Sequence, residues 1–123
     1  MTGDERAARG RRAESAVADW LSARGCQIVA RNYRCRGGEL DLVARRGQQL
    51  IFVEVKARRD ASAYGGTAAS ITPAKLRRLR HTALHFLQQS LVMHNDILFL
   101  AALVDLDQSG NPQGITGIPI EWR

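Results

Sequence analysis

Residues 50 to 58 read LIFVEVKAR, and this stretch restricts the folds open to the chain more than any other. Leu50, Ile51, Phe52 and Val53 run unbroken and Val55 resumes the series, a density that suits a strand covered on both faces. Inside it stand Glu54 and, two residues later, Lys56. On a strand these two share a face with Leu50 and Phe52. A charge on a covered face is costly without a partner, so the fold has to supply one for Glu54.

The flanking segments make one α/β domain around this strand. From Asp4 to Arg24 the apolar residues Ala13, Ala16, Val17, Trp20 and Leu21 form one helical stripe, stopped by Gly25. Glu14 borders that stripe and, taken alone, is a boundary residue pairing with a nearby arginine. CQIVARNYR is a strand and Arg36-Gly37-Gly38 a turn. GELDLVAR then alternates, with Leu40 and Leu42 on one face and Glu39, Asp41 and Val43 on the other. Arg46-Gly47 marks a hairpin into the LIFVEVKAR strand. The Gly-, Ala- and Ser-rich stretch at about residues 59–71 has no period and is expected to be a mobile loop. Thr72 as N-cap and Pro73 at the first helical position start a second helix, whose first turns carry Lys75, Arg77, Arg78 and Arg80. NDILFLAALVDL is a long apolar strand, and GITGIPIEW, with its proline, a short edge strand. The order is αβββαββ, a mixed sheet flanked by helices.

The chain has 123 residues, enough for a single core. Its apolar runs fall short of the roughly 20 residues that cross a bilayer, and the N-terminus carries acids where a secretory signal has an apolar stretch. A cytoplasmic, non-membrane protein is the expectation. Cys26 and Cys35, nine apart and without clustered histidines, fit neither zinc nor a disulfide framework. The net charge of +6 suits a polyanionic partner such as nucleic acid, although arginine-rich composition alone produces the same figure. Of 18 basic residues only Lys56 and Lys75 are lysine. A compact ammonium approaches a reacting phosphate or shifts its pKa where a guanidinium does not.

The hairpin decides whether Asp41 joins Glu54. A two-residue loop at Arg46-Gly47 sets Asp41 diagonal to Glu54, and a four-residue loop sets them directly opposite; a three-residue loop separates them. Two neighbouring carboxylates repel, and a divalent cation resolves the repulsion. Mg²⁺ prefers one or two carboxylates with waters and phosphate oxygens. Lys56 would then stand beside the attacking water. The hairpin alone equally allows a half-buried Glu54–Lys56 ion pair with Asp41 solvated.

An aspartate, then E-x-K on the neighbouring strand, after a helix carrying a glutamate, resembles the PD-(D/E)XK nucleases of restriction-endonuclease-like fold. AESAVADWL, ARNYRCRGGELDLVAR, LIFVEVKAR and the Lys75 helix followed by NDILFL resemble, more closely, the YraN-like family of uncharacterised bacterial proteins. The resemblance implies that Asp41, Glu54 and the Val55 carbonyl bind Mg²⁺ or Mn²⁺ and that Lys56 is the catalytic lysine. Glu14 matches a helical glutamate of archaeal-type Holliday-junction resolvases, which assists metal or water binding. Leu40 stands where the motif's name has proline, and Ala13 where a glycine often precedes the glutamate. His94-Asn95-Asp96 replaces an Arg-Phe-Asp-like stretch.

His81, His85 and His94 lack the glutamate of a zinc-protease helix and are weak ligand candidates. Tyr33 and Tyr64 suit packing better than base stacking. Arg34, Arg58, Arg59, Lys75 and Arg78 are the candidate contacts to a nucleic-acid backbone. The expected function is a metal-dependent nuclease acting on DNA; the resolvase likeness implies branched or structured DNA, with a homodimer required if the substrate is a junction, and the same residues would equally serve an RNA-directed nuclease. The alternative is a nucleic-acid-binding or scaffolding protein that keeps the fold without turnover.

Overall fold

The structure, a computed structural model, describes residues 3–59 and 72–121. Helix α1 (Gly3–Ala23) leads into β1 (Gln27–Cys35), β2 (Gly38–Arg46) and β3 (Gln49–Arg58). Helix α2 (Pro73–Gln89) then precedes β4 (Asp96–Leu106) and β5 (Pro112–Ile120). The strands form one sheet in the order β1-β2-β3-β4-β5, antiparallel except for the parallel β3–β4 pair. A parallel neighbour needs a crossover, and the connection containing α2 provides it. This is the αβββαββ arrangement expected from the sequence. Residues 60–71 of the expected loop, with Tyr64, lie outside the described residues.

Both faces of β3 are covered because its apolar residues do not alternate with polar ones. Ile51 and Val53 pack with Ala13, Val17, Ala18 and Leu21 of α1. Leu50 and Phe52 pack on the opposite face with Leu79, Ala83 and Phe86 of α2. Leu50 and Val53 are 0% exposed, and each side chain buried so fully contributes about 1.5–3 kcal/mol. The apolar series thus fixes β3 in the centre and places Glu54 and Lys56, by parity, on the α2 face.

Helix α2 is held closely over the β1–β2 turn. Thr72 accepts the Lys75 backbone N–H at 3.1 Å, and Pro73 opens the helix. The buried Thr82 hydroxyl donates to the Arg78 carbonyl at 2.9 Å. A Cβ on Gly38 would stand 2.3 Å from that hydroxyl oxygen, so only glycine allows this approach. His81 bonds the Arg36 carbonyl at 3.0 Å, and the Tyr33 hydroxyl bonds His85 Nδ1. Tyr33 also packs edge-on to Phe86, with ring centroids 5.2 Å apart. These histidines tie the helix to the turn.

Three details differ from the expectation. Arg46 pairs with Gln49, so the hairpin turns at Gly47-Gln48, one residue later. Arg45 consequently faces Leu50, the register that was assigned to a longer loop. Leu40 and Leu42 do not share a face: Leu40 packs with Val43 on the α2 side, and Leu42 with Ala44 on the α1 side. Strict alternation therefore breaks at Asp41. Finally, β5 is the expected edge strand but starts at Pro112, two residues before the GITGIPIEW stretch, with Pro112 and Pro119 tolerated because it is outermost.

Candidate active site

The break at Asp41 has a counterpart across the ladder. Ala30 and Tyr33, three apart on β1, both pack on the α2 side, and between them Asn32 adopts φ +52°. Asparagine tolerates this left-handed region better than most residues. Asn32 lies between the Arg31–Leu42 and Tyr33–Leu40 pairs, opposite Asp41. The kink leaves Asp41 free of a fixed face and turns its carboxylate toward β3. Paired residues of β2 and β3 end at Leu42–Val53, and beyond them Asp41 Oδ2 accepts the Val55 N–H at 2.7 Å. A side chain here replaces the ladder. Because the N–H and C=O of one strand residue point to the same neighbour, the Val55 carbonyl is directed into the same split.

Glu54 meets both lysines of the chain. Lys75 Nζ lies 3.0 Å and Lys56 Nζ 4.0 Å from Glu54 Oε1, and the Glu54 side chain is only 14% exposed. The first turn of α2, capped by Thr72, delivers Lys75 to this point. Beside it a cleft of about 220 Å³ is lined by Gly38, Glu39, Glu54, Lys75, Arg78 and Leu79.

The electrostatics follow from this crowding. Burial above all, with Glu54, Glu14 and Glu39 adding repulsion, pushes the Asp41 carboxyl up to about 7 against the opposing Val55 bond. The hydrogen bond from Lys75, then burial and the Lys75 charge, hold Lys56 below the usual lysine range, against the pull of Glu54 and Asp41. Burial works to lower Lys75, but its bonds to Lys56 and Glu54 and the charges of Glu54 and Asp41 carry it upward. Glu14 is raised chiefly by burial and then by Glu39, while a bond from the Asn32 side chain, Arg31 and Arg34 pull it down.

Asp41 and Glu54 are thus brought to one split in the sheet. Glu14, on α1, acts on the Asp41 carboxyl through its charge and is itself engaged by the Asn32 side chain. Among the described residues no three His, Cys, Asp or Glu side chains form a ready metal cage. The donor set nevertheless fits a hard cation. Two carboxylates and a main-chain carbonyl are what Mg²⁺ takes from a protein when water and phosphate complete its shell. A half-buried carboxyl surrounded by like charge gains from such an ion.

The candidate backbone contacts divide. Arg78 lines the cleft and is exposed, and Arg59 is exposed at the end of the described part of β3's exit. Arg34 forms a surface ion pair with Glu39 at 2.9 Å, and Arg58 is held by Asp105 at 2.8 Å across to β4. Lys75 belongs to the centre, not to a peripheral track. Sequence reasoning missed Asn32 altogether. Its one signal was an asparagine inside a strand, a residue type that favours a kink over a straight strand. It also missed the convergence of Lys75 on Glu54, which the scarcity of lysine only hinted at.

Residues 13–104 match a family described as "Uncharacterised protein family UPF0102". A UPF0102 protein of Methylococcus capsulatus is 40% identical over 122 residues, covering 99% of this chain and 92% of the relative. A UPF0102 protein of Cupriavidus pinatubonensis is 54% identical over 81 residues, 65% of this chain and 63% of the relative. One of Aeromonas hydrophila is 48% identical over 81 residues, 66% of this chain and 62% of the relative. In the last two the match spans less than two thirds of the relative's own length. No described helix is long and apolar enough to cross a membrane.

Proposed function

The chain belongs to the uncharacterised protein family UPF0102, and from that premise and the split between β2 and β3 we propose a Mg²⁺- or Mn²⁺-dependent nuclease that hydrolyses phosphodiester bonds in DNA, branched DNA foremost. One observation carries the reading: Asp41 takes the place of a ladder bond at Val55 while Glu54 and both lysines crowd beside it. A carboxylate spent this way, in a sheet that could have continued pairing, is placed for chemistry more than for stability. Asp41, Glu54 and the Val55 carbonyl would hold the cation, with Glu14 at its margin. The metal would supply charge neutralisation at the phosphate. Lys56, kept below the usual lysine range, would orient the attacking water and take its proton. Arg78, across the cleft, would hold a phosphate of the strand being cut. Two symmetric nicks at a junction need two sites, so on that substrate the working unit would be a homodimer.

The second reading, a nucleic-acid-binding protein without turnover, draws on the same Glu54: a carboxylate already bonded to an ammonium is stable without metal. Labelled linear, flapped and four-way-junction DNA with Mn²⁺ or Mg²⁺ separates the two. The nuclease reading expects cleavage that Glu54→Ala and Lys56→Ala each reduce by about 10²- to 10⁴-fold. Binding by all three proteins without cleavage would favour the second. Millimolar Mn²⁺ should also raise the melting temperature of the wild type but not of Glu54→Ala.

A further inference from the structure

Among the described residues the cation nearest Glu54 is the Lys75 ammonium, at 3.0 Å against 4.0 Å for Lys56. Its placement is built in. Lys75 sits three residues into a helix whose cap bonds the Lys75 N–H itself, and the helix is seated by Thr82 against Gly38. The Lys75 side chain is 21% exposed, so the pair forms in largely desolvated surroundings. Both lysines address the same oxygen, Oε1. A divalent ion at Glu54 would stand beside an ammonium already bonded to its ligand, and the two cations repel at that range.

We propose that Lys75 is an internal counter-ion that a divalent cation must displace from Glu54. The proposal rests on the metal reading of the site. With no metal, α2 lends Glu54 a positive charge and the half-buried carboxylate is satisfied. With metal, the ammonium is released into the cleft beside Arg78, on the side open to a phosphate. One residue thereby couples metal arrival to exposure of a phosphate-binding charge. Competition between two ligands for one group is reciprocal, so removing the ammonium must strengthen the ion's hold.

The test is calorimetric titration of Mn²⁺ alone into the full chain as wild type, Lys75→Gln, Lys75→Arg and Arg78→Gln. Lys75→Gln should bind Mn²⁺ roughly threefold to tenfold tighter, because the competing ammonium is gone. Lys75→Arg should stay near wild type, and Arg78→Gln, which lacks the Glu54 contact, should shift by less than about twofold. Equal or weaker binding by Lys75→Gln overturns the proposal while leaving the metal site standing. So does an equal gain in Arg78→Gln, which would mark a general field effect. No binding by any of the four overturns the metal reading along with it. Should Lys75→Gln fail to fold, the wild type suffices. Because only two lysines occur, ¹³C-dimethylation gives a simple spectrum in which the Lys75 signal must move as Mg²⁺ saturates. A signal that stays put at saturation overturns the proposal.

Discussion

Asp41 holds its proton more tightly in the folded chain than an ordinary aspartate, since its carboxyl is pushed from 3.8 to about 7. The sign follows from linkage: between those values the folded state binds more protons than the unfolded, so stability falls as pH rises. Denaturant unfolding of the metal-free protein in chelator, from pH 4 to 7, should show this decline, and Asp41→Asn should flatten it. A rise over the same interval would contradict the desolvated placement of Asp41. Across the ladder, Asn32 at φ +52° bonds Glu14. Asn32→Val forces a β-branched residue into the left-handed region and should cost about 1–3 kcal/mol. Asn32→Gly should cost less, because glycine accepts that backbone, yet it deletes the bond to Glu14. Melting temperatures of the two variants check the ranking.

At the scale of elements, the seat of α2 on the β1–β2 turn depends on one missing side chain. Gly38→Ala would drive a methyl into the Thr82 hydroxyl and should destabilise by about 1–3 kcal/mol. Thr82→Ala removes the obstructing oxygen, so the double variant should recover part of that loss; strict additivity in a double-mutant cycle would count against the contact. Much of the architecture was legible beforehand. The apolar run from Leu50 to Val53 demanded cover on two faces, and Thr72-Pro73 announced a helix start that the structure places at that residue. The approach of Asp41 to Glu54 was legible only as a choice among loops. The hairpin could not be resolved from sequence because a left-handed Gly47 can stand second in an Arg46-Gly47 turn or first in a Gly47-Gln48 turn. The break in alternation was invisible: Leu40 and Leu42 read as one face, and the left-handed Asn32 that separates them acts from the neighbouring strand. Lys75 was read as a contact to a nucleic-acid backbone, and its approach to Glu54 went unseen because contact from a crossover helix leaves no local pattern.

For the molecule as a whole, a net charge of +6 predicts DNA affinity that falls steeply with added salt. Arg78→Ala should weaken binding and reduce the slope of log affinity against log salt by about one. Arg58→Ala should leave that slope nearly unchanged, since Arg58 is engaged by Asp105 between β3 and β4. Filter binding across a salt series distinguishes them, and equal slopes for both variants would argue that Arg58 leaves Asp105 for the nucleic acid. The sheet has a further property: its strands lie side by side in the order in which they are synthesised. Each new strand therefore adds to an edge that already exists, and nothing has to be inserted between finished neighbours. Both acids and Lys56 have been translated by residue 56, but the nearer ammonium to Glu54 comes nineteen residues later, from the crossover helix. A polypeptide released early, after β3, carries the acids and Lys56 but lacks both the nearer ammonium and the helix that brings it.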